Sequence, residues 1–468
     1  MALPCIVALI YQESSGWTFL GVMLGCLLLG HLVSFRKPKN TVFYMKEGCV
    51  ATALSWIVLS LAGCLPFFLS GAIPHFPDAL FETISGFTTT GASVLSDVEA
   101  LPHCMLFWRS FTHWLGGMGV LVFLLAVIQM TGGSHMNLMR AESPGPSVGK
   151  LGPKVMYTAR VLYLIYIGMT MIQIILLLCG GMSLFDSLTT SFGTAGTGGF
   201  GIKNDSMAGY SPYLQWVTTI FMILFGVNFN FYFLLLFRKW RQAFRTEEVW
   251  GYFGVIAAAI AIIMWDIHSM VGDFGTNLKD SAFQVASIIT TTGYSTVDFD
   301  TWPATARTVL VILMFIGACA GSTGGGIKVS RFVILLKTVH HELKSYLFPK
   351  SVTKIKMDGK PVENETVRGI NVYMITFLAI FAFSVVCISF EGHDLLTNFT
   401  AVAATFNNIG PGLELVGPTK NFGMFSDFSK FVLMFDMLAG RLELFPLLLL
   451  FYPRTWSGLL KRKKSLNP

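Results

Sequence analysis

Four stretches of this chain, residues 50–70, 161–180, 213–237 and 369–390, contain no Asp, Glu, Lys or Arg. Each meets or approaches the roughly 20 apolar residues that an α-helix needs to cross the hydrocarbon core of a bilayer. Segments 105–130, 250–270, 304–327 and 422–450 are also apolar but carry one or a few charges, and 16–35 is an apolar candidate whose one basic side chain is His31. In lipid such charges are costly, whereas a protein interior or a water-filled cavity tolerates them. The composition agrees with a membrane solvent, because only 13% of the 468 residues are charged and 53% are apolar. That is too little charge to cover the apolar content with water-facing surface. The eight Cys are scattered with no CxxC pair, so they read as small core residues rather than zinc ligands or a disulfide framework.

Basic residues set the orientation. Arg36, Lys37, Lys39 and Lys46, then Arg140, Lys150 and Lys154, then Arg238, Lys239, Arg241 and Arg245 fall between successive pairs of spans. Lys337 to Arg368 and the tail Lys461 to Lys464 continue the series, while the opposite loops carry Asp97, Glu99, Asp298 and Asp300. If every pair of spans returns to its starting side, all the basic segments share one face, which the positive-inside rule makes cytoplasmic. The net charge of +7 therefore reads as topology and contact with lipid headgroups, not as a nucleic-acid surface. Residues 1–11 are apolar but too short to span, and read as the shortened first helix of an N-terminal hairpin.

A repeat organises the rest. Asp78 to Ser93 (DALFETISGFTTTGAS), Asp186 to Gly201 (DSLTTSFGTAGTGGFG), Asp280 to Ser295 (DSAFQVASIITTTGYS) and Thr397 to Gly412 (TNFTAVAATFNNIGPG) share one plan. Gly91, Gly199, Gly293 and Gly410 each lie thirteen residues beyond the first residue of their segment. That offset holds about three helical turns followed by an extended return. The glycines recur at intervals of 108, 94 and 117 residues, so whole modules are repeated. Irregular backbone inside the hydrocarbon region must be buried in protein or line an aqueous path. Four such loops meeting on one axis make a central pore.

The expected architecture is an all-α polytopic membrane protein with four tandem modules of outer helix, pore half-helix, filter loop and inner helix, preceded by a partial N-terminal hairpin. The boundaries read as a hairpin and basic loop over 1–46, module one over 47–132, a linker over 133–155, module two over 156–245 and module three over 246–345. A linker over 346–363, module four over 364–458 and a basic tail over 459–468 complete it. Backbone carbonyls in a ring can replace a cation's water shell without fixed negative charge, and glycine reaches the backbone angles that turn them inward. The candidate ligands are the main-chain oxygens of Thr89, Thr90, Gly91, Thr197, Gly198, Gly199, Thr291, Thr292, Gly293, Asn408, Ile409 and Gly410. Pore half-helices aim their C-terminal dipole ends at the axis, which favours cations.

GSTGGGIK at 321–328 interrupts the second helix of module three, where each glycine destabilises helix by roughly 1 kcal/mol relative to Ala. Broken membrane helices mark sites that bind or move. Arg441, near Glu443 and Asp436 in the final span, needs a partner or pore water; a plain ion pair with either acid is the simpler reading. His113 and Trp114 read as helix-packing residues, and Asn228 and Asn230 as caps or hydrogen-bonding groups between inner helices. The chain offers no HExxH and no convincing nucleophile, base and orienting residue, so a membrane-embedded enzyme is a weak alternative.

The four loop motifs in order, together with FTHWLGGMGV at 111–120, MRAESPGP at 139–146, GSTGGGIKVSRF at 321–332 and AGRLELFP at 439–446, resemble the TrkH/KtrB/HKT superfamily of potassium transporters. The likeness spans essentially the whole chain and is greatest to the bacterial TrkH/TrkG branch. It implies K⁺ uptake across the bacterial cytoplasmic (inner) membrane through a K⁺-selective, channel-like pore with no covalent cofactor. The resemblance also implies a gate made of Ser322, Thr323, Gly324, Gly325, Gly326 and Lys328, with Arg441 below the filter. A homodimer and a separate cytoplasmic nucleotide-binding regulatory subunit resembling TrkA are implied in the same way.

Overall fold

The computed structural model describes residues 1–35, 45–119, 155–349 and 354–456. Arg36, Lys37, Lys39, Arg140, Lys150, Lys154 and Lys350, the MRAESPGP stretch and the 459–468 tail lie outside the described residues. Two N-terminal helices, Ala2–Tyr11 and Gly16–Ser34, pack together, and the shorter one also lies against the first inner helix. The Glu13 carboxylate between them accepts from the amides of His103 (2.6 Å) and Cys104 (2.9 Å), capping that inner helix from outside its own chain segment.

Module one comprises outer helix Met45–Leu69, pore helix Phe76–Phe87 and inner helix His103–Gly117. Module two repeats the plan with Val155–Cys179, Leu184–Gly196 and Pro212–Phe225, and module three with Glu247–Val271, Phe274–Ile289 and Ala304–Ile316. Module four has Asn364–Ser389, Leu395–Phe406 and Asp427–Arg441. Five described helices are long and apolar enough to cross a membrane, and a sixth candidate is the bent pair Pro212–Phe225 and Phe229–Leu236. The outer helices expose Leu164, Ile172, Ile375 and Leu378, and Trp265 is 88% exposed, as suits side chains facing lipid rather than water. The pore helices are enclosed instead: Ala79 through Phe87 are all buried.

Polar side chains cap three of the four pore helices. Ser183 accepts from the amide of Asp186, Asp273 from Thr276 and Asp394 from Thr397, each satisfying a donor that the first helical turn leaves free. This corrects the reading of module three. Its pore helix starts at Phe274, so Asp280 sits inside the helix, nearly buried and 3.4 Å from the Lys279 ammonium, rather than at its entrance.

The inner helices differ more from expectation. Segments 213–237 and 422–450 read as single spans and 304–327 as one interrupted from Gly321, yet the first two also stop partway and the third stops earlier than the motif. The second ends at Phe225 and resumes as Phe229–Leu236 at an angle of 88°. The third ends at Ile316 and resumes as Val329–Leu347, so its break opens at Gly317, four residues before the GSTGGGIK motif. The fourth ends at Arg441 and resumes as Phe445–Phe451 through Glu443 and Leu444, both at positive φ. The first ends at Gly117, with Gly119 at φ 75°; residues 120–130 lie outside the described residues. A two-stranded antiparallel hairpin, Lys356–Met357 with Lys360–Pro361, is the one sheet among the described residues.

Candidate functional site

Each pore helix runs directly into its loop, and the four loops repeat one backbone pattern. Thr89, Thr197, Thr291 and Asn408 have φ between 54° and 58°, and two residues later Gly91, Gly199, Gly293 and Gly410 have φ between 75° and 103°. Residues in left-handed conformation at every second position turn successive peptide planes, and the second of these positions is glycine every time.

The loops close into a ring. A Cβ built on Gly91 would collide with the carbonyl oxygen of Gly198, one on Gly199 with that of Thr292, and one on Gly293 with that of Ile409. One on Gly410 would lie 2.8 Å from the carbonyl oxygen of Thr90, which returns to the start. Each glycine thus abuts the carbonyl just before the next module's glycine; eight of the twelve candidate ligands make this cycle, and the other four, Thr89, Thr197, Thr291 and Asn408, are the positive-φ residues that precede it. A cavity of about 160 Å³ opens above it, lined by Gly91, Gly199, Gly293 and Gly410 among others.

Side chains lock neighbouring loops. The Asn408 amide donates to the Thr90 hydroxyl and to the Met437 carbonyl, both at 2.9 Å, joining modules four and one. Tyr294 donates to the Thr190 carbonyl at 3.2 Å, joining three to two. Threonine hydroxyls within a loop bind each other, Thr88 to Thr90 and Thr290 to Thr292 at 2.8 Å. They brace the loops.

Modules one and two are joined by groups the sequence reading missed. His113 is fully buried, with Nδ1 2.8 Å from the Gly86 carbonyl and Nε2 accepting from the Phe200 amide at 3.2 Å. A carbonyl only accepts and an amide only donates, so the neutral tautomer with a proton on Nδ1 satisfies both. His113 is therefore a strut between two loops rather than simple helix packing, while Trp114, stacked on Phe111 and tilted against Tyr166 and Phe192, is packing. The Arg109 guanidinium pairs with Glu82 at 2.7 Å, with both side chains at most 2% exposed. It donates to the Gly201 carbonyl at 3.0 Å and lies over the Phe200 ring. Glu82 also accepts from Ser93 and the Val94 amide, so one ion pair holds the exits of both loops. Outside the membrane layer, Asn204 donates to Asp97 at 2.9 Å and holds that carboxyl below its usual range.

Gly317–Lys328 folds beneath the ring. The Gly325 amide donates to the Thr291 hydroxyl at 2.6 Å, and the Gly326 amide to the Asn407 carbonyl at 3.0 Å. Ser322 donates to the Cys319 carbonyl and Thr323 to that of Phe225, while the Lys328 ammonium reaches the Gly324 carbonyl. The break in inner helix two is filled by the same segment: the Cys319 amide donates to the Gly226 carbonyl at 3.0 Å, and the Phe229 amide to that of Gly321 at 2.9 Å. Arg441 donates to the Thr323 carbonyl at 2.9 Å and to the carbonyls of Gly116 and Gly117. The acids weighed as its partners are engaged elsewhere. Glu443 pairs with Arg331, and Asp436 accepts from Ser384 at 2.7 Å. Asn228 caps the second half of its helix through the Asn230 amide and donates to Glu248.

A family model described as a cation transport protein, TrkH, matches residues 17–254 and 249–458. The Trk system potassium uptake protein TrkH of Salmonella typhimurium is 36% identical over 467 residues, covering 97% of this chain and 95% of its own. Escherichia coli TrkG is 31% identical, with 97% and 94% covered. The crystal structure of the potassium transporter TrkH from Vibrio parahaemolyticus matches with a TM-score of 0.86 and 31% identity, over 97% of this chain and 95% of that one. Family model, full-length relatives and fold agree, and the chain belongs to the bacterial TrkH/TrkG family of the TrkH/KtrB/HKT superfamily.

Proposed function

We propose that this chain takes up K⁺ across the bacterial cytoplasmic membrane through a channel-like pore whose filter is the ring of four loops. The observation that carries the reading is the cyclic approach of each loop glycine to the next loop's carbonyl. It sets main-chain oxygens from four directions around one axis, which suits a dehydrated monovalent cation without fixed negative charge. The twelve residues from Thr89 to Gly91, Thr197 to Gly199, Thr291 to Gly293 and Asn408 to Gly410 supply those oxygens. Gly324 to Gly326, with Ser322, Thr323 and Lys328, form the gate, and Arg441 opposes cations beneath the filter while holding the loop. The membrane-enzyme alternative has no support from a family of transport proteins.

Two assembly features complete the proposal. The chain pairs with a second copy, and its basic face docks a separate cytoplasmic nucleotide-binding subunit resembling TrkA. Arg238, Lys239, Arg241 and Arg245 lie on that face, although anionic headgroups attract the same charges. Co-purification from native membranes tests the partner; no bound cytoplasmic protein in mild detergent, with flux unresponsive to nucleotide, would remove it. Purified protein in liposomes tests the transport reading. K⁺ and Rb⁺ should pass well and Na⁺ poorly, with no substrate turnover, and equal Na⁺ and K⁺ flux would refute it.

A further inference from the structure

Glu248 stands in the first turn of outer helix three, 4% exposed. Its Oε1 accepts from the Ala320 amide at 2.6 Å and from the Ser330 amide at 3.2 Å. These two residues bracket the glycine-rich segment, so a single oxygen pins both of its ends. Oε2 accepts from the Asn228 side chain at 3.3 Å, at the break in inner helix two. One carboxylate thus ties together the loop, the helix break that receives it and an outer helix. Hydrogen bonds to a charged acceptor are roughly twice as strong as neutral ones.

The neighbouring Glu247 faces the other way. Its amide donates to Asp358 at 2.7 Å, and its carboxylate pairs with Lys337, whose ammonium also donates to the Lys356 carbonyl at 2.8 Å. Thr246, the residue before this helix, provides no side-chain cap, so the cap comes from the Lys356–Pro361 hairpin. Asp358 and Gly359, at φ 53° and 75°, form its two-residue turn, with both central residues at positive φ as a type I′ turn requires. The exposed hairpin and the buried loop therefore grip adjacent residues of one helical turn.

We propose that Glu248 is a positioning residue that holds the glycine-rich loop in its constricting arrangement, and that the Lys356–Pro361 hairpin, clasped to Glu247, is the lever through which a cytoplasmic event releases it. This rests on the reading of the loop as a gate in a K⁺ pore. A lever needs a part outside the membrane that a partner can displace and a rigid link to the constriction. Asp358, Glu247 and Glu248 supply both within one short path.

The test is closed-state Rb⁺ flux through the full chain in liposomes, with the Rb⁺-to-Na⁺ ratio measured in parallel. Glu248→Gln keeps an acceptor for Ala320 and Ser330 but sets an amide against the Asn228 amide, donor to donor. Closed-state flux should rise about tenfold, as expected when a charge-assisted clasp in a two-state element is weakened, with the ion ratio unchanged. Adding Asn228→Asp restores a donor–acceptor pair of reversed sense and should return flux toward the original. Asp358→Ala, exposed and remote from the pore, should raise flux less, and not additively with Glu248→Gln. Unchanged flux in correctly inserted Glu248→Gln, or full additivity with Asp358→Ala, overturns the proposal. A change in ion ratio overturns it too, because it indicates damage to the filter. Should Glu248→Gln fail to insert, unchanged flux in Asp358→Ala alone removes the lever. If the unmodified protein passes no K⁺, the transport reading fails. If Arg441→Ala raises flux while Glu248→Gln does not, transport stands and Glu248 is only a packing group.

Discussion

Gly91→Ser separates backbone strain from the closure of the ring. Gly91 sits at φ 79°, where a residue with a Cβ loses about 1–2 kcal/mol. A Cβ there would also collide with the Gly198 carbonyl oxygen, and no rotamer relieves a clash with backbone. Loop two cannot retreat freely, because the Phe200 amide is held by His113 at 3.2 Å and Gly199 itself abuts the Thr292 carbonyl. Relief therefore displaces the Gly198 carbonyl, a proposed ion ligand. If the conformational term alone is released into the carbonyl ring, 1–2 kcal/mol corresponds to a factor of about 5–30 in K⁺ over Na⁺ preference. Gly71→Ser is the control: Gly71 has φ 76° with no atom within 4 Å of its added Cβ. It carries the same backbone strain without the collision, so it should lower stability and leave selectivity unchanged. Rb⁺ and Na⁺ flux in liposomes, at matched membrane yield, is the assay. An unchanged ratio in Gly91→Ser, or an equal loss in Gly71→Ser, would refute the argument that carbonyl contact between loops sets selectivity.

Deleting Gly324 to Gly326, or Arg441→Ala, should raise closed-state Rb⁺ flux, the arginine effect being larger in low salt and the two changes non-additive; unchanged flux in both inserted variants would make them structural only. His113→Phe strands the Gly86 carbonyl and the Phe200 amide, each a loss of about 1–3 kcal/mol, so the melting temperature and the K⁺ preference should fall together. Arg109→Met leaves Glu82 buried and unpaired and should cost about 3–5 kcal/mol, with recovery on adding Glu82→Gln; thermal unfolding in detergent reads both. The depressed Asp97 carboxyl contributes above its unfolded pKa, near 3.9, and its contribution is lost as pH falls through the lower folded value. Hydrogen exchange at the Glu99 amide, which donates to Asp97, should therefore stay protected at mildly acidic pH and lose protection only in stronger acid.

The repeat was legible because it combines two demands that only one residue type meets. A positive φ and a neighbouring carbonyl within contact leave glycine alone at Gly91, Gly199, Gly293 and Gly410, so a fixed spacing survives in the sequence. Hydropathy hid the helix breaks. Residues 213–237 are uniformly uncharged, and the backbone groups freed at Gly226 and Phe229 are satisfied by Cys319 and Gly321 of another module, a tertiary partner that no local pattern encodes. The repeat also misled: aligning Asp280 with Asp78 and Asp186 hid Asp273, which is the residue that caps the helix. Glu82 and Arg109 left a signal, opposite charges in consecutive membrane-entering segments, that could have been read as a buried pair. The Asp358–Gly359 turn is equally readable as a hairpin signal inside the linker over 346–363. Glu248 left none, since an acid in a first turn ordinarily faces solvent and favours the helix dipole; only the fold buries it.

The glycine-rich loop also explains why four diverged repeats in one chain serve better than four identical ones. It belongs to module three, yet Thr323 reaches Phe225 of module two, Gly326 reaches Asn407 of module four, and Arg441 of module four bridges Thr323 to Gly116 and Gly117 of module one. Identical modules would bring four such loops to one axis. There is no room for them, since a Cβ at Gly325 would already collide with the Asn407 carbonyl. The modules therefore differ where the loop docks. Gly116 and Gly440 hold the same place, each against the carbonyl of the last residue of its own pore helix, Phe87 or Phe406. The next residue is Gly117 in module one and Arg441 in module four. The small residue leaves its carbonyl open and the large one supplies the donor that reaches it, so modules one and four are joined beneath the ring by a pair that fourfold symmetry would forbid.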